Sequence, residues 1–412
     1  MNLTIEGLIG NIRLGDLHPV RVMGVINLSR ESFYEESFAG QDAVLERALS
    51  SVREGAKILD LGAVSTAPGS PDIPEDEERR RLFPALEMVL DDLAGEVVVS
   101  VDTQRAKVAD EALSMGAACI NDVSGLLDPD MAPTVADHDG SLIIMASKER
   151  PGDLLEMREI VASLGNRLKD AGKAGVSTEK VTVDPGIGHW TPPKGPGHDL
   201  GILDGLSRLR VLNRPVMAAV SRKSFIGAIL KRPDPAERLQ GSLAATAVAV
   251  YNGAHLVRTH DVSGSMETIR MAEAIRGRPP ISGSDGGIEV EVFDHSGHPQ
   301  DLLWAFARLG VGEAGARALG LKGSFQALSI RGVTSPEATV IKQEMLARGG
   351  DAAIPMGALR CDPGDMEVLV LGTAAQVRGL VKNLKGQPFN LPTVAGAIEE
   401  ALEKLDDPKR YW

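Results

Sequence analysis

Cysteine, aromatic side chains and net positive charge are all scarce in this chain. Only Cys119 and Cys361 occur in 412 residues, far apart and without a CxxC. That spacing argues against a structural zinc site and a disulfide framework, and fits a reducing, cytoplasmic setting. Aromatics make up 3%, so Val, Ile, Leu, Ala and Met must build the core. The net charge of −13 sets a general field that repels phosphate, which excludes nucleic acid and anionic membrane as non-specific partners. Any phosphate site must then be a local concentration of Lys and Arg. No apolar run approaches the roughly 20 residues of a membrane span, and the first residues lack a signal-peptide apolar region. A soluble cytoplasmic protein is the expectation.

What the chain does have is a rhythm. After 1–18, which alternates apolar and polar residues around Gly7, Gly10 and Gly15 and reads as a hairpin, short β-rich runs recur. They fall at 20–26, 57–61, 97–101, 117–120, 141–145, 180–183, 215–220 and 255–257. Helical patterns lie between them, among them 41–54, 75–93, 105–115, 154–171 and 237–252. Eight strand-like runs over about 260 residues are the size and period of a (β/α)8 TIM barrel. A doubly wound sheet has the same alternation but gathers its polar motifs at one switch point. Here polar motifs follow nearly every run, which favours the barrel. The barrel is expected over 1–278, a Gly/Pro/Ser-rich linker over 279–287, and a smaller α+β domain over 288–412.

The polar motifs carry the chemistry. Asn27 follows the first run, Asp60 ends the second, and Asp102, Asn121 and Asp184 follow the third, fourth and sixth. Ser221-Arg222-Lys223-Ser224 follows the seventh and opens a helix; Arg258-Thr259-His260-Asp261 follows the eighth. One Asp after a strand is more often a helix N-cap than a ligand, but recurrence at equivalent strand ends is harder to dismiss. Asp102, Asn121 and Asp184 suit the hydrogen-bonding edge of a planar, nitrogen-rich heterocycle. Lys223, Arg258 and His260, with Asn27 as an oxygen ligand, suit a polyphosphate and its Mg2+. Heterocycle at one end and diphosphate at the other describes a substrate whose diphosphate leaves.

Six stretches, 23–33, 99–103, 120–125, 183–188, 221–227 and 257–261, resemble in order the motif set of the dihydropteroate synthase family, over about residues 15 to 278. The resemblance implies a pterin-binding (β/α)8 barrel that joins 6-hydroxymethyl-7,8-dihydropterin diphosphate to an arylamine and releases pyrophosphate. It implies pterin contacts from Asp102, Asn121, Asp184 and Lys223, and Asn27 with Mg2+ near the diphosphate. Arg258 and His260 would hold the diphosphate, with Ser65, Thr66 and Ser224 near the arylamine. Such barrels commonly dimerise through helices, so a homodimer is expected by analogy. Departures concentrate in the loops. Ser29-Arg30-Glu31 stands where the family has Thr-Pro-Asp, Val64 and Ala67 where it has Glu and Arg, and Ala146 where it has His. Arg30 is expected to replace the lost cation. These changes look similar to archaeal relatives, whose arylamine in methanopterin pathways is a ribofuranosylaminobenzene phosphate rather than 4-aminobenzoate. Residues 328–357 resemble an accessory domain that precedes the barrel in some bacterial members. A pterin barrel transferring methyl groups to a corrinoid protein is the competing reading; it would have no use for the Lys223, Arg258 and His260 cluster. A non-catalytic pterin-binding protein is a third.

Overall fold

The computed structural model describes residues 5–28, 41–64, 73–188, 191–276, 282–285, 288–291, 302, 306 and 309–405. The expected opening hairpin is β1 (Glu6–Ile9) against β2 (Ile12–Gly15), antiparallel with Leu8 opposite Arg13. Eight parallel strands follow: β3 (Arg21–Asn27), β4 (Ile58–Gly62), β5 (Val98–Asp102), β6 (Cys119–Asp122), β7 (Ser141–Met145), β8 (Val181–Asp184), β9 (Met217–Ala218) and β10 (Leu256–Thr259). Their order is β8-β7-β6-β5-β4-β3-β10-β9. A parallel bridge between Val183 and Val216 brings β8 to β9, with the Val183 amide donating to the Pro215 carbonyl at 2.9 Å, and closes the barrel. The run expected over 215–220 shortens to Met217–Ala218. Pro215 has no N–H to give a ladder, and Arg222 turns the chain through a left-handed φ of 55°.

The helices are α1 (Gln41–Arg53), α2 (Glu75–Asp92), α3 (Ala106–Met115), α4 (Met131–Asp137), α5 (Met157–Lys173), α6 (Pro196–Asp204), α7 (Ser224–Leu230), α8 (Leu239–Tyr251) and α9 (Val262–Arg276). Strands covered by them on one side and filled by side chains on the other are buried on both faces, so they read as unbroken apolar runs. Ile58–Gly62 and Ser141–Met145 are buried at every position.

The hairpin supports the end of the barrel opposite the site. Ile9 and Leu14, fully buried, join a layer of Met23, Ile58, Val98, Cys119, Ile143, Met217 and Leu256. Each side chain so buried stabilises the fold by roughly 1.5–3 kcal/mol. Gly10 lies so close to the barrel that a Cβ would meet Val98 and Ala118 at 3.2 Å, and its amide donates to Ser141 Oγ at 3.0 Å. No helix among the described residues is long and apolar enough to cross a membrane.

Residues expected as linker include a strand, β11 (Ser282–Asp285), paired antiparallel with β12 (Ile288–Glu291). The division into two compact units falls later, between Asp294 and His295. The second unit holds α10 (Glu313–Gly323), β13 (Phe325–Val333), α11 (Ser335–Leu346), β14 (Asp351–Ala353), α12 (Met356–Arg360), β15 (Met366–Thr373), α13 (Ala374–Leu384) and α14 (Leu391–Leu405). Its antiparallel sheet runs β13-β15-β14. Two of its helices open with capping boxes, Thr334 with Glu337 and Thr373 with Gln376, each satisfying helix N–H groups that would otherwise lack partners.

Candidate active site

Above the apolar layer the barrel interior turns polar. Alternation along a strand sends every second side chain inward, so the positions two beyond Ile58, Val98 and Cys119 are Asp60, Ser100 and Asn121, all buried. The Arg258 guanidinium reaches across from β10, donating from Nε to Asp60 Oδ2 at 2.6 Å and from Nη2 to Asp102 Oδ2 at 2.9 Å. Asn121 Nδ2 donates to the same Asp60 oxygen at 3.0 Å. Four buried atoms here have no hydrogen-bond partner: Asp60 Oδ1, Ser100 Oγ, Asn121 Oδ1 and Thr182 Oγ1. Buried polar atoms left unpaired are costly, so a barrel interior that keeps several of them is shaped for a polar occupant or water.

Asp184 ends β8 opposite Met145. Its Oδ1 accepts the Gly186 amide at 2.7 Å. Burial pushes its carboxyl up, against the Gly186 amide and the Lys223, Arg258 and Lys194 cations. Burial also lifts the Asp102 carboxyl to about 7; Arg258 opposes this, and the Asp60, Glu78 and Asp122 carboxylates add to it. Lys223 holds the N-cap position of α7 through its backbone, and Ser224 is the first residue of that helix. Burial draws the Lys223 ammonium down, Arg258 with it, while Asp184, Asp199 and Asp102 hold it up. Asp184, Lys223, Arg258 and Asp102 therefore lie within electrostatic reach of one another at one mouth.

His260 sits beside this group. Ser221 Oγ is 3.0 Å from Nδ1 and Asn27 Nδ2 is 3.4 Å from Nε2. An amide N–H can only donate, so Nε2 accepts and Nδ1–H points to Ser221. Burial, with Arg258, Arg47, Arg222 and Lys223, pushes the imidazole down to about 3.

Several expectations change. His260, grouped with the cations, is neutral at pH 7. Arg258, assigned to the diphosphate, lies on two carboxylates, because a lumen-facing position on β10 points its fork into the barrel. Arg222 does not join Lys223: its left-handed backbone turns it sideways onto Asp261, Nε to Oδ2 at 2.9 Å and Nη2 to Oδ1 at 2.6 Å, and onto the Pro235 and Ala236 carbonyls. The acidic start of α2 buries Glu78, which accepts from Thr103 Oγ1 at 2.6 Å and pairs with Arg105. Arg30, Ser65 and Thr66 lie outside the described residues, as does Ala67. Asp60 stood in the strand-end series without a role; its partners become visible only in three dimensions. Lys194 was not anticipated at all, since it follows two prolines in a loop.

A Mg2+ ion held chiefly by substrate phosphates and water needs few protein ligands. Among the described residues no three His, Cys, Asp or Glu side chains form a metal-binding group, and Asn27 offers a single amide oxygen.

A profile of pterin binding enzymes matches residues 23–260. A probable bifunctional folylpolyglutamate synthase/dihydropteroate synthase of Halobacterium salinarum is 36% identical over 264 residues, 62% of this chain, which spans 31% of that relative. Dihydropteroate synthase of Bacillus subtilis is 36% identical over 258 residues, 62% of this chain and 88% of the relative. The solved dihydropteroate synthase of Clostridium difficile, determined in the presence of pteroic acid, superposes with a TM-score of 0.57 at 32% identity, covering 62% of this chain and 97% of that one. With the closed barrel and its polar interior beside them, these likenesses show that the chain belongs to the dihydropteroate synthase family.

Proposed function

We propose that this transferase joins 6-hydroxymethyl-7,8-dihydropterin diphosphate to 4-aminobenzoate, with pyrophosphate as the leaving group. The observation that carries the reading is the polar barrel interior: Asp60, Asp102, Asn121, Asp184 and Arg258 converge, with Asp60 and Asn121 each keeping an unpaired oxygen. Pteroic acid, present with the clostridial relative, is the pterin and aminobenzoate units already joined.

Asp102, Asn121 and Asp184 accept the amino and ring N–H groups of the pterin, and Lys223 donates to its oxygen. These contacts fix the ring so that its methylene faces the arylamine. An aniline nitrogen is uncharged at pH 7, so it needs alignment rather than a general base. Charge developing on the departing diphosphate is stabilised by the field of Lys223 and Arg258, with Arg47 within electrostatic reach of the neighbouring His260. His260 acts as a neutral hydrogen-bonding group, and Asn27 stands beside it. Ser65, Thr66, Ser224 and Arg30 are assigned to the arylamine side. Mg2+ is assigned to the diphosphate itself, since that ion takes phosphate and water oxygens and few protein ligands.

A homodimer completes the proposal. α8 carries no charged side chain over Leu239–Tyr251. It leaves Val248 and Tyr251 exposed, and the adjoining α9 exposes Met271 and Ile275. An uncharged helix with an exposed apolar stripe calls for cover. The setting assigned is the cytoplasm, in keeping with two unpaired thiols, Cys119 and Cys361.

The deciding assay mixes the pterin diphosphate and Mg2+ with 4-aminobenzoate or ribofuranosylaminobenzene phosphate and follows pyrophosphate. Release with 4-aminobenzoate is expected. Release with the ribosyl compound alone would overturn the arylamine assignment, and release with neither would overturn the transferase reading.

A further inference from the structure

Lys194 is wholly buried, and none of the chemistry above employs it. An ammonium taken out of water is costly unless it is well bonded. Its Nζ lies 2.5 Å from the Gly186 carbonyl, 3.4 Å from the Gly152 carbonyl and 4.0 Å from Asp199 Oδ1. Gly186 belongs to the loop after β8 and Gly152 to the loop after β7, so one side chain bonds the two loops flanking the Asp184 edge of the mouth. Gly186 is the link. Its carbonyl accepts from Lys194 while its amide donates to Asp184 Oδ1 at 2.7 Å. The peptide is held in a left-handed φ of 75°, where an added Cβ would press on Met145 and the Ala146 carbonyl at 3.3 and 3.4 Å. Two residues on, the Gly188 amide donates to Asp199 Oδ1 at 2.8 Å, so the ammonium and Asp199 together hold both ends of the turn.

We propose that Lys194 is a positioning residue of the pterin site: by bonding the Gly186 carbonyl it keeps the loop after β8 in the conformation that turns the Gly186 amide onto the Asp184 carboxylate. This rests on the pterin reading of Asp184. The charged groups facing Lys194 are Asp199 from α6, Asp184 from β8, Asp153 from the loop after β7, and Lys223 from the turn before α7. Burial outweighs the three carboxylates and draws the ammonium down to about 8, with Lys223 adding to the fall. The clamp therefore weakens as pH rises through about 8. An arginine in its place would stay charged throughout that range.

Calorimetry on the full chain tests this with 6-hydroxymethylpterin and, separately, pyrophosphate. Lys194→Met and Lys194→Gln should bind the pterin about tenfold more weakly at pH 7, a loss of about one strong hydrogen bond, with pyrophosphate affinity unchanged. Each variant is compared with wild type at the same pH, so ionisation of the ligand cancels. Lys194→Arg should match wild type at pH 7 and bind the pterin several-fold more tightly than wild type at pH 9. A merely structural lysine would give no such pH-dependent ratio. Should the methionine variant fail to fold, the glutamine and arginine variants decide. Pterin affinity indifferent to the substitutions at both pH values overturns this proposal alone. A wild type that binds no pterin overturns the functional reading and this proposal with it.

Discussion

Arg258→Met keeps the bulk of the side-chain stem and deletes the fork that joins Asp60 to Asp102. In the wild type Asp60 is fully buried and receives the Arg258 and Asn121 N–H groups on one oxygen. Without the guanidinium its charge is stranded, and breaking a buried pair from one side typically costs about 3–5 kcal/mol. Proton uptake caps that cost. Protonating a carboxyl of ordinary pKa near 4 takes about 1.4 kcal/mol per pH unit above that value, so the cap is about 4 kcal/mol at pH 7 and about 1.4 kcal/mol at pH 5. Asp102 adds little, because burial already places its carboxyl at about 7. The folded variant holds a proton that its unfolded chain lacks, so the penalty grows as pH rises from 4 towards 7 and shrinks on acidification. Hydrogen exchange read by mass spectrometry on peptides covering β4 and β5 reports this barrel region independently of the C-terminal unit. The expected result is lower protection at pH 7, a smaller loss at pH 5, and partial recovery in Asp60→Asn/Arg258→Met. A loss that is equal at the two pH values, or untouched by Asp60→Asn, would refute the ion-pair account. The same variant should weaken bare pterin and pyrophosphate together, since Arg258 adjoins the ring-binding Asp102 while contributing to the cationic field.

His260 should show no protonation step between pH 5 and 8 in histidine-labelled NMR, because its imidazole is held at about 3; an imidazolium at pH 6 would contradict the buried cationic surroundings. Asp16→Asn should destabilise the barrel by about 3–5 kcal/mol at pH 7, read by thermal unfolding. Burial alone would raise the Asp16 carboxyl, but hydrogen bonds from His255 and Arg210 hold it well below the usual carboxylate range. Its contribution is full above about pH 4 and lost as pH falls lower, so the gap to wild type must narrow with acidification; a gap that widens would be wrong in sign. Val248→Glu, on the uncharged face of α8, should convert a dimer to monomers in sedimentation, and an unchanged mass would remove α8 from the interface.

The barrel was legible in the sequence because a strand buried on both faces has no polar position to spare except where its side chain enters a site. Asp60, Asp102, Asn121 and Asp184 therefore stand out at the ends of apolar runs, and the fold gathers them as their placement implied. What spacing leaves open is where each charge is spent. Arg222 and Lys223 are neighbours in sequence, yet a left-handed backbone at Arg222 sends its guanidinium to Asp261 while Lys223 lies within electrostatic reach of Asp184 and Asp102. Arg258 is two residues from His260, and strand alternation turns both inward, but one meets Asp60 and Asp102 and the other Ser221 and Asn27. Lys194 lies ten residues past Asp184, beyond Pro192 and Pro193, and reaches it through the Gly186 peptide by a tertiary contact with no period in the chain. Counting cations along the sequence thus overstates the charge available to an anion: Arg222 is largely neutralised by Asp261, Arg258 is shared between two acids, and His260 carries none. The diphosphate of the proposed substrate would therefore meet a field set by partly neutralised groups.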